Sequence, residues 1–559
     1  MATIGEKFGQ LGTSIINLVG TRASRHLDNL SSTGRGNIEA IAETIAKAVA
    51  EAAIAEHGIT GGTGVKPSIC KNMSIRIDGT SVYLKWQDPG DTIVEGQVVS
   101  AWRGTKIVKK VGSYPEDEND GTVVVDNTVK DLYLKEPYID SVTSGTNVYY
   151  AAFPYNTDNE YTHHDKNQFV DAIIYEYCIN LTDSNPSTRV YYPAGCTNEK
   201  FTPFKMDFTT GKATYDDWKY AFFMPTPCMV KSSGIKDYDL YEDDYAYKAD
   251  GVTASDYNNL AYDGNCMMAF PQIWIKYVMD EANIAHVYIS NKQVDNKYHC
   301  WTHYNRLGVL VDEIYIMAYP VRNNSNILRS IGGTTPTVSL TGTNEILYAQ
   351  NNGSNWNLMD YAMWNMLQVI LTLMGKSTDA QGTYGFGWCP GGNNSVQATG
   401  GFHGKGLFYA TSGTSANRIK VLGIEDLWGN CWKRLNGCCY STADGMRYKM
   451  TETTLDGTSV TGYNTDGTGY LKTQIFSGSS GGYQSSFTLT EHGIFPVAAS
   501  GSATTYTCDG LWWANNGFAL AGGGWAHTSV GGLFALYLDS AVSYSGPSVG
   551  GSLSCKPVS

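Results

Sequence analysis

The amino-acid sequence predicts a mainly β protein with an N-terminal helix and a C-terminal part of α+β character. Three observations predict it. Glycine (61), tyrosine (38) and tryptophan (13) are abundant in a 559-residue chain in which charged residues make up only 17%. Glycine permits tight turns, and Tyr and Trp supply rigid contact area at low entropic cost. Short period-two runs broken by turn residues begin after Lys66, and apolar steps of three and four are confined to two stretches.

The length is too great for one hydrophobic core and predicts about three to five domains. The first stretch of helical period is Asn37–Glu56, where Ile38, Ile41, Ile45, Ala48, Ala52 and Ala55 alternate in steps of three and four. Isoleucine at both seam positions favours three or more strands in a coiled coil. The pattern lasts under three heptads, so an amphipathic helix packed on a partner explains it equally well. Residues 1–64 are therefore read as a helical attachment or oligomerisation segment, ending in the glycine-rich hinge Gly58–Gly64.

Residues 65–161 read as short strands. Ser74–Ile77, Ser81–Trp86 and Val123–Val125 are separated by Asp-Gly, Asp-Pro-Gly and Asn-Asp-Gly turns, a spacing that argues for a β-sandwich. The Val82–Trp86 strand before Asp88-Pro89-Gly90, with the late Asn147–Ala151 strand, resembles a fibronectin type III or related Ig-like module. The resemblance implies a spacer without chemistry.

Residues 162–320 read as an irregular β-rich module with strands near Ile173–Ile179, Gln272–Val278, Ala285–Ser290 and Glu313–Tyr319. Residues 321–559 begin a last domain. Its one clear helix runs from Trp356 to about Met374, with Met359, Met363, Met366, Leu367, Ile370 and Met374 as a buried stripe. The stretch after 380 is rich in Gly, Ser and Thr but carries Trp388, Trp428, Trp432, Trp512, Trp513 and Trp525. A linker would not carry these, so a folded domain with little regular secondary structure is expected.

Several segments resemble a module of tail-fibre-like proteins of gut phages and prophages. They are the run from Ile174 (IYEYCINLTDSNPSTRVYYPAG), Tyr215–Met229, Ala285–Gln293, Glu313–Pro320, Leu328–Pro336 and Trp356–Gln381. Gly423–Trp432 (GIEDLWGNCW) resembles the D-x-x-GN-x-W element of the C-type-lectin-like fold of formylglycine-generating-enzyme relatives. The tail Ala521–Cys555 looks like the variable region of proteins diversified by retroelements. The resemblance implies a scaffold of Trp428, Gly429, Asn430, Trp432, Gly522, Gly523, Trp525, Gly532, Leu533, Leu536, Gly550, Gly551 and Leu553. It implies a variable, ligand-binding face of Ala526, His527, Ser529, Phe534, Tyr537, Asp539, Tyr544, Pro547 and Val549. Randomising the adenines of an AAC codon can give each of these residues but never Lys, Glu, Gln, Trp or Met, and none of those five occurs between Ala526 and Cys555. A fixed C-terminal hairpin without diversification is the plainer reading.

Chemistry is thinly represented. His299 and His303 lie four apart but lack the glutamate of a metalloprotease helix. Asp237, Asp239, Glu242, Asp243 and Asp244 could bind calcium or hold a glycosidase carboxylate pair, but they lack the spacing and glycine of a calcium loop, and the interleaved tyrosines fit a solvated aromatic loop. There is no nucleophile elbow or phosphate loop, and Gly522–Gly524 precede strand-like sequence. Cys508 and Cys555 are not marked as the active-site pair of the formylglycine-generating relatives. No catalytic residue, metal or cofactor is expected. A net charge of −13 without a basic cluster argues against nucleic-acid binding, which needs a cationic stripe. The Met-Ala start lacks a signal-peptide pattern and no apolar run reaches about 18 residues, so a cytoplasmic product without membrane insertion is expected. Vicinal Cys438 and Cys439 are read as reduced thiols, because a bridge between neighbours is strained.

The resemblances imply a virion protein made in the host cytoplasm. It would bind a bacterial cell-surface receptor through its C-terminal face, join other virion proteins through its N-terminus and form a homotrimer. A capsule-degrading tailspike, or a purely structural head or tail fibre, are the alternatives.

Overall fold

The period-two run Ser81–Trp86 forms a strand whose burial alternates residue by residue. A computed structural model describes residues 65–557 except 79, 95–96, 144–145, 165–166, 170–171, 220 and 452–470. The expected helix and hinge of residues 1–64 lie outside the described residues. The chain forms two units, one ending at Asp171 and one beginning at Ala172.

In the first unit, Ser81–Gln87 alternates strictly, with Val82, Leu84 and Trp86 buried. It pairs antiparallel with Lys71–Asp78 and Tyr138–Ser141. A second sheet places Trp102–Val111 between Thr122–Asn127 and Val148–Asn156. The two sheets share one core, in which Val82, Leu84 and Trp86 meet Ile107, Tyr150, Ala152 and Phe169. The Asp-Pro-Gly turn is fixed from inside. Buried Asp88 accepts hydrogen bonds from Trp86 Nε1 (2.9 Å), Thr105 Oγ1 (2.7 Å), Asn127 Nδ2 (3.1 Å) and the Asp131 amide (2.8 Å).

The second unit is mainly β with one long helix. Ile174–Asn180 and Ile284–Ser290 pair at the centre of a four-stranded sheet flanked by Val190–Tyr191 and Trp274–Met279. A seven-stranded sheet runs Asp244–Lys248, Lys236–Tyr241, Thr226–Lys231, Gly264–Pro271, Glu313–Met317, Ser554–Cys555 and Trp356–Asn357. The boundary expected at 320/321 is therefore not structural. Ser554–Cys555 inserts between Glu313–Met317 and Trp356–Asn357, and one core joins Met267, Met268 and Ile316 to Met363, Ile370 and Leu553. Strand pairing across this point joins segments more than two hundred residues apart, as Tyr315 opposite Cys555 shows.

The helix starts later than its apolar stripe suggests, running Tyr361–Gly375. Asp360 caps it, accepting from the Met363 amide at 2.8 Å, while Trp356 and Asn357 are taken into the sheet. Nearly every residue of the helix is buried, as befits a helix that is apolar all round.

The region after residue 380 is more regular than expected. An eight-stranded sheet is ordered Leu471–Lys472, Gly445–Tyr448, Trp432–Ser441, Phe518–Ala521, Leu536–Ser540, Gly510–Trp513 and Gly482–Tyr483, with Val549–Gly550 pairing in parallel to Trp432–Lys433. Its strands are short and distant in sequence, so few alternations show locally. All twelve cysteines are free thiols, Cys438 and Cys439 among them.

Candidate ligand-binding face

The face is built on the Asp426–Trp432 turn. Trp428 is fully buried and donates from Nε1 to the Gly385 carbonyl at 3.1 Å. Gly429 has φ +75°, and a Cβ there would lie 2.5 Å from the Trp388 amide nitrogen, so no other residue fits. Asn430, with φ +62°, donates to Asp426 Oδ2 (2.8 Å) and accepts from the Gln397 amide (2.8 Å). Its carbonyl receives the Trp525 amide, and the Gly429 amide reaches the Gly522 carbonyl, each at 3.0 Å. Gly523 (φ +78°) closes the approach, since a Cβ would come within 2.6 Å of Gly531 Cα.

Two loops are displayed from this frame, each held by its backbone. The 525–531 loop is tied by Trp525 O to the Gly391 amide (2.9 Å) and by Val530 O to the Gly510 amide (2.9 Å). The 541–548 loop is tied by Val542 O to the Gly342 amide (2.8 Å), Gly546 O to the Ser339 amide (3.2 Å) and Ser548 O to the Trp432 amide (2.8 Å). Arg434 adds a bond from Nη2 to Tyr544 O at 2.9 Å, and Arg434 Nε is itself paired with buried Glu345 at 2.6 Å.

Between the loops runs the strand Leu536–Ser540. Leu536 and Leu538 point into the core, Tyr537 is half-buried and Asp539 is exposed, the two-residue period of a one-sided sheet. Tyr537 packs between Trp432 (4.2 Å between ring centroids) and Trp512 (4.4 Å). His527 stands edge-on to Trp432 at 4.9 Å and accepts from Trp432 Nε1 at 3.1 Å. Burial holds the His527 imidazole below its usual range, against smaller opposing effects of the Gly524 backbone and Asp539. As the acceptor from Trp432, Nδ1 carries no proton. Tyr483 Oη lies 2.7 Å from Ser529 Oγ.

The structure sorts the named residues as follows. Ala526, Asp539, Tyr544 and Pro547 are exposed; His527, Ser529, Phe534 and Tyr537 are half-buried. Val549 is a correction: at 1% exposure, paired with Trp432 in the sheet, it belongs to the core and cannot touch a ligand. Of the scaffold, Trp428, Gly429, Asn430, Trp432, Leu533 and Gly550 are buried, whereas Trp525 is half-buried and donates to Pro547 O at 3.1 Å. Trp512 and Tyr483 complete the face, and no local sequence signal joins them to it. Trp512 lies opposite Tyr537 only because two parallel strands bring them together.

The other candidates do not assemble. His303 is buried between the Thr302 hydroxyl (2.8 Å from Nδ1) and the Phe270 carbonyl (3.2 Å from Nε2), while His299 stacks on Trp301. Of the acidic cluster, Asp237 pairs with Lys231, Asp239 with Lys236, and Asp244 with His403. Cys508 precedes the strand Gly510–Trp513 and Cys555 lies in the seven-stranded sheet, both as buried thiols. Among the described residues, one group of metal-ligating side chains does converge, Glu176, Cys178 and His286. Among the described residues, no helix is long and apolar enough to cross a membrane. A scan with protein-family models and a search of curated proteins each returned no match to this chain.

Proposed function

We propose that the chain is a non-enzymatic bacteriophage virion adhesin. Residues 65–161 act as an Ig/fibronectin-III-like spacer, and the C-terminal part is a C-type-lectin-like domain whose outer face binds a protein or glycan of the bacterial surface. Residues 1–64 join the virion and a homotrimer multiplies weak sites into avidity. The two three-stranded sheets around Trp86 support the spacer reading.

One observation carries the receptor reading. The loops around Trp525–Val530 and Ala541–Ser548 are held through backbone amides and carbonyls, while every candidate variable side chain except Val549 is at least partly open to solvent. A face anchored by main chain tolerates side-chain exchange, because exposed substitutions shift stability by less than about 0.5 kcal/mol. Aromatic anchors (Trp512, Tyr537, Tyr544) beside small polar groups (Ser529, Asp539) make an antibody-like surface.

The test uses the full chain and a panel of bacterial strains. Ala526→Tyr, Asp539→Arg and Tyr544→Ser together should lower adsorption to bound strains at least about tenfold, by loss of roughly 1.4 kcal/mol or more of contact energy, with an unchanged unfolding midpoint. Unchanged adsorption, or none by the wild-type chain, refutes the adhesin reading and favours a structural fibre. Shortened capsule oligosaccharides after incubation would refute the non-enzymatic part and favour a tailspike.

A further inference from the structure

Outside the receptor face, the central pair of the four-stranded sheet carries a cluster of metal-ligating side chains. Glu176 and Cys178 stand two apart on Ile174–Asn180 and so share one side of the sheet. His286 lies directly opposite Cys178 on Ile284–Ser290, and cross-strand partners face the same way. His286 Nδ1 is 2.9 Å from Glu176 Oε1 and 3.3 Å from Cys178 Sγ, and the three donor atoms all lie within 4.8 Å of one another.

These separations suit a small tetrahedral ion. Zinc bonds of about 2.0–2.3 Å to N, O and S set ligand-to-ligand edges of roughly 3.3–3.6 Å, and the three donor atoms lie close enough for side-chain adjustment to seat one. The second nitrogen of the ring is also provided for: His286 Nε2 faces Asp280 Oδ2 at 3.4 Å. A carboxylate behind an imidazole is the usual outer partner of a metal-bound histidine, fixing its tautomer and raising its basicity. Cys178 is buried while Glu176 and His286 are 16% and 25% exposed, which leaves a fourth position facing solvent.

We infer that Glu176, Cys178 and His286 form a binding site for one zinc ion, with Asp280 orienting the histidine and water completing the coordination. The mixed thiolate, imidazole and carboxylate set selects zinc over calcium or magnesium, which take oxygen ligands. On binding, the Cys178 S–H bond breaks, its proton passes to solvent and the thiolate electron pair forms the metal bond; no electron is transferred. Burial, then the charge of Glu176, pushes the free thiol up to about 12, so the metal-free cluster is a hydrogen-bonded neutral thiol. The ion would tie two neighbouring strands across chain positions 108 residues apart and stabilise the second unit by mass action. The inference is independent of any receptor.

The full-length chain, stripped with chelator and kept reduced, is titrated with cobalt and then zinc chloride. One equivalent of cobalt should give a thiolate-to-metal charge-transfer band that zinc removes. Cys178→Ser should abolish the band, and Glu176→Gln, altered at a partly exposed position where folding is secure, should weaken zinc binding at least about tenfold. Asp280→Asn should weaken it by about 10–100-fold. Cys196→Ser, at the partly exposed thiol, should change nothing. No band in the wild type, a band that survives Cys178→Ser, or one lost in Cys196→Ser overturns the site. Unchanged affinity in Glu176→Gln or Asp280→Asn overturns that residue's assignment.

Discussion

Replacing Glu345 with alanine probes how the 541–548 loop is held. Glu345 is fully buried and Arg434 is 2% exposed, joined at 2.6 Å. Removing the carboxylate leaves the guanidinium in the core with the Tyr544 carbonyl at 2.9 Å as its remaining partner in these contacts. Breaking a buried pair from one side costs about 3–5 kcal/mol, because the surviving charge stays desolvated. That is a large fraction of the roughly 5–15 kcal/mol that holds a domain folded. The pair itself contributes much less. Burial outweighs Arg434 and raises the Glu345 carboxyl above its usual range, so ionised Glu345 is less favourable folded than in water. Replacing both partners, Glu345→Leu with Arg434→Met, should therefore cost less than Glu345→Ala alone. Urea unfolding followed by tryptophan fluorescence measures all three. A loss below about 1 kcal/mol in Glu345→Ala, or a double variant less stable than the single, refutes this account.

Two further outcomes follow from buried polar groups. His303 is fully buried and desolvation lowers it from 6.5 to about 4. Its folded pKa is depressed, so between pH 4 and 6.5 the unfolded chain binds the extra proton and stability rises with pH. That stability is complete above the unfolded value and lost as pH falls through the window, by about 3 kcal/mol in all. His303→Gln should remove that share of the acid sensitivity, read as the difference in unfolding midpoints between pH 4.5 and 7, and an unchanged difference refutes it. In the first unit, Asp88→Ala strands the Trp86, Thr105, Asn127 and Asp131 donors. At about 1–3 kcal/mol for each buried unsatisfied group, hydrogen exchange should show residues 65–171 unfolding while 172–557 stay protected. Equal loss in both units would refute the division.

Much of the fold was legible where strands are long and locally paired. Ser81–Gln87, Trp274–Met279 and Ile284–Ser290 appear within a residue or two of the strand-like runs read from the sequence, because strand propensity is a property of neighbouring residues. The Gly423–Trp432 run stood out as a contiguous motif, and in the structure its Gly429 and Asn430 take positive φ beside buried tryptophans. Tyr537 and Asp539 are named only through a resemblance; the structure shows them alternating with inward Leu536 and Leu538.

What the chain order could not display is which distant segments meet. Val549 reads like its variable-looking neighbours until its pairing with Trp432 buries it. Trp512 joins Tyr537, Glu345 joins Arg434, and Cys178 joins His286 only through packing across 25, 89 and 108 positions. Periodicity records the face on which a residue stands, a local fact of backbone geometry. Pairing depends on the balance between loop entropy and burial over the whole chain, and in this protein that balance was decided by the tertiary structure alone.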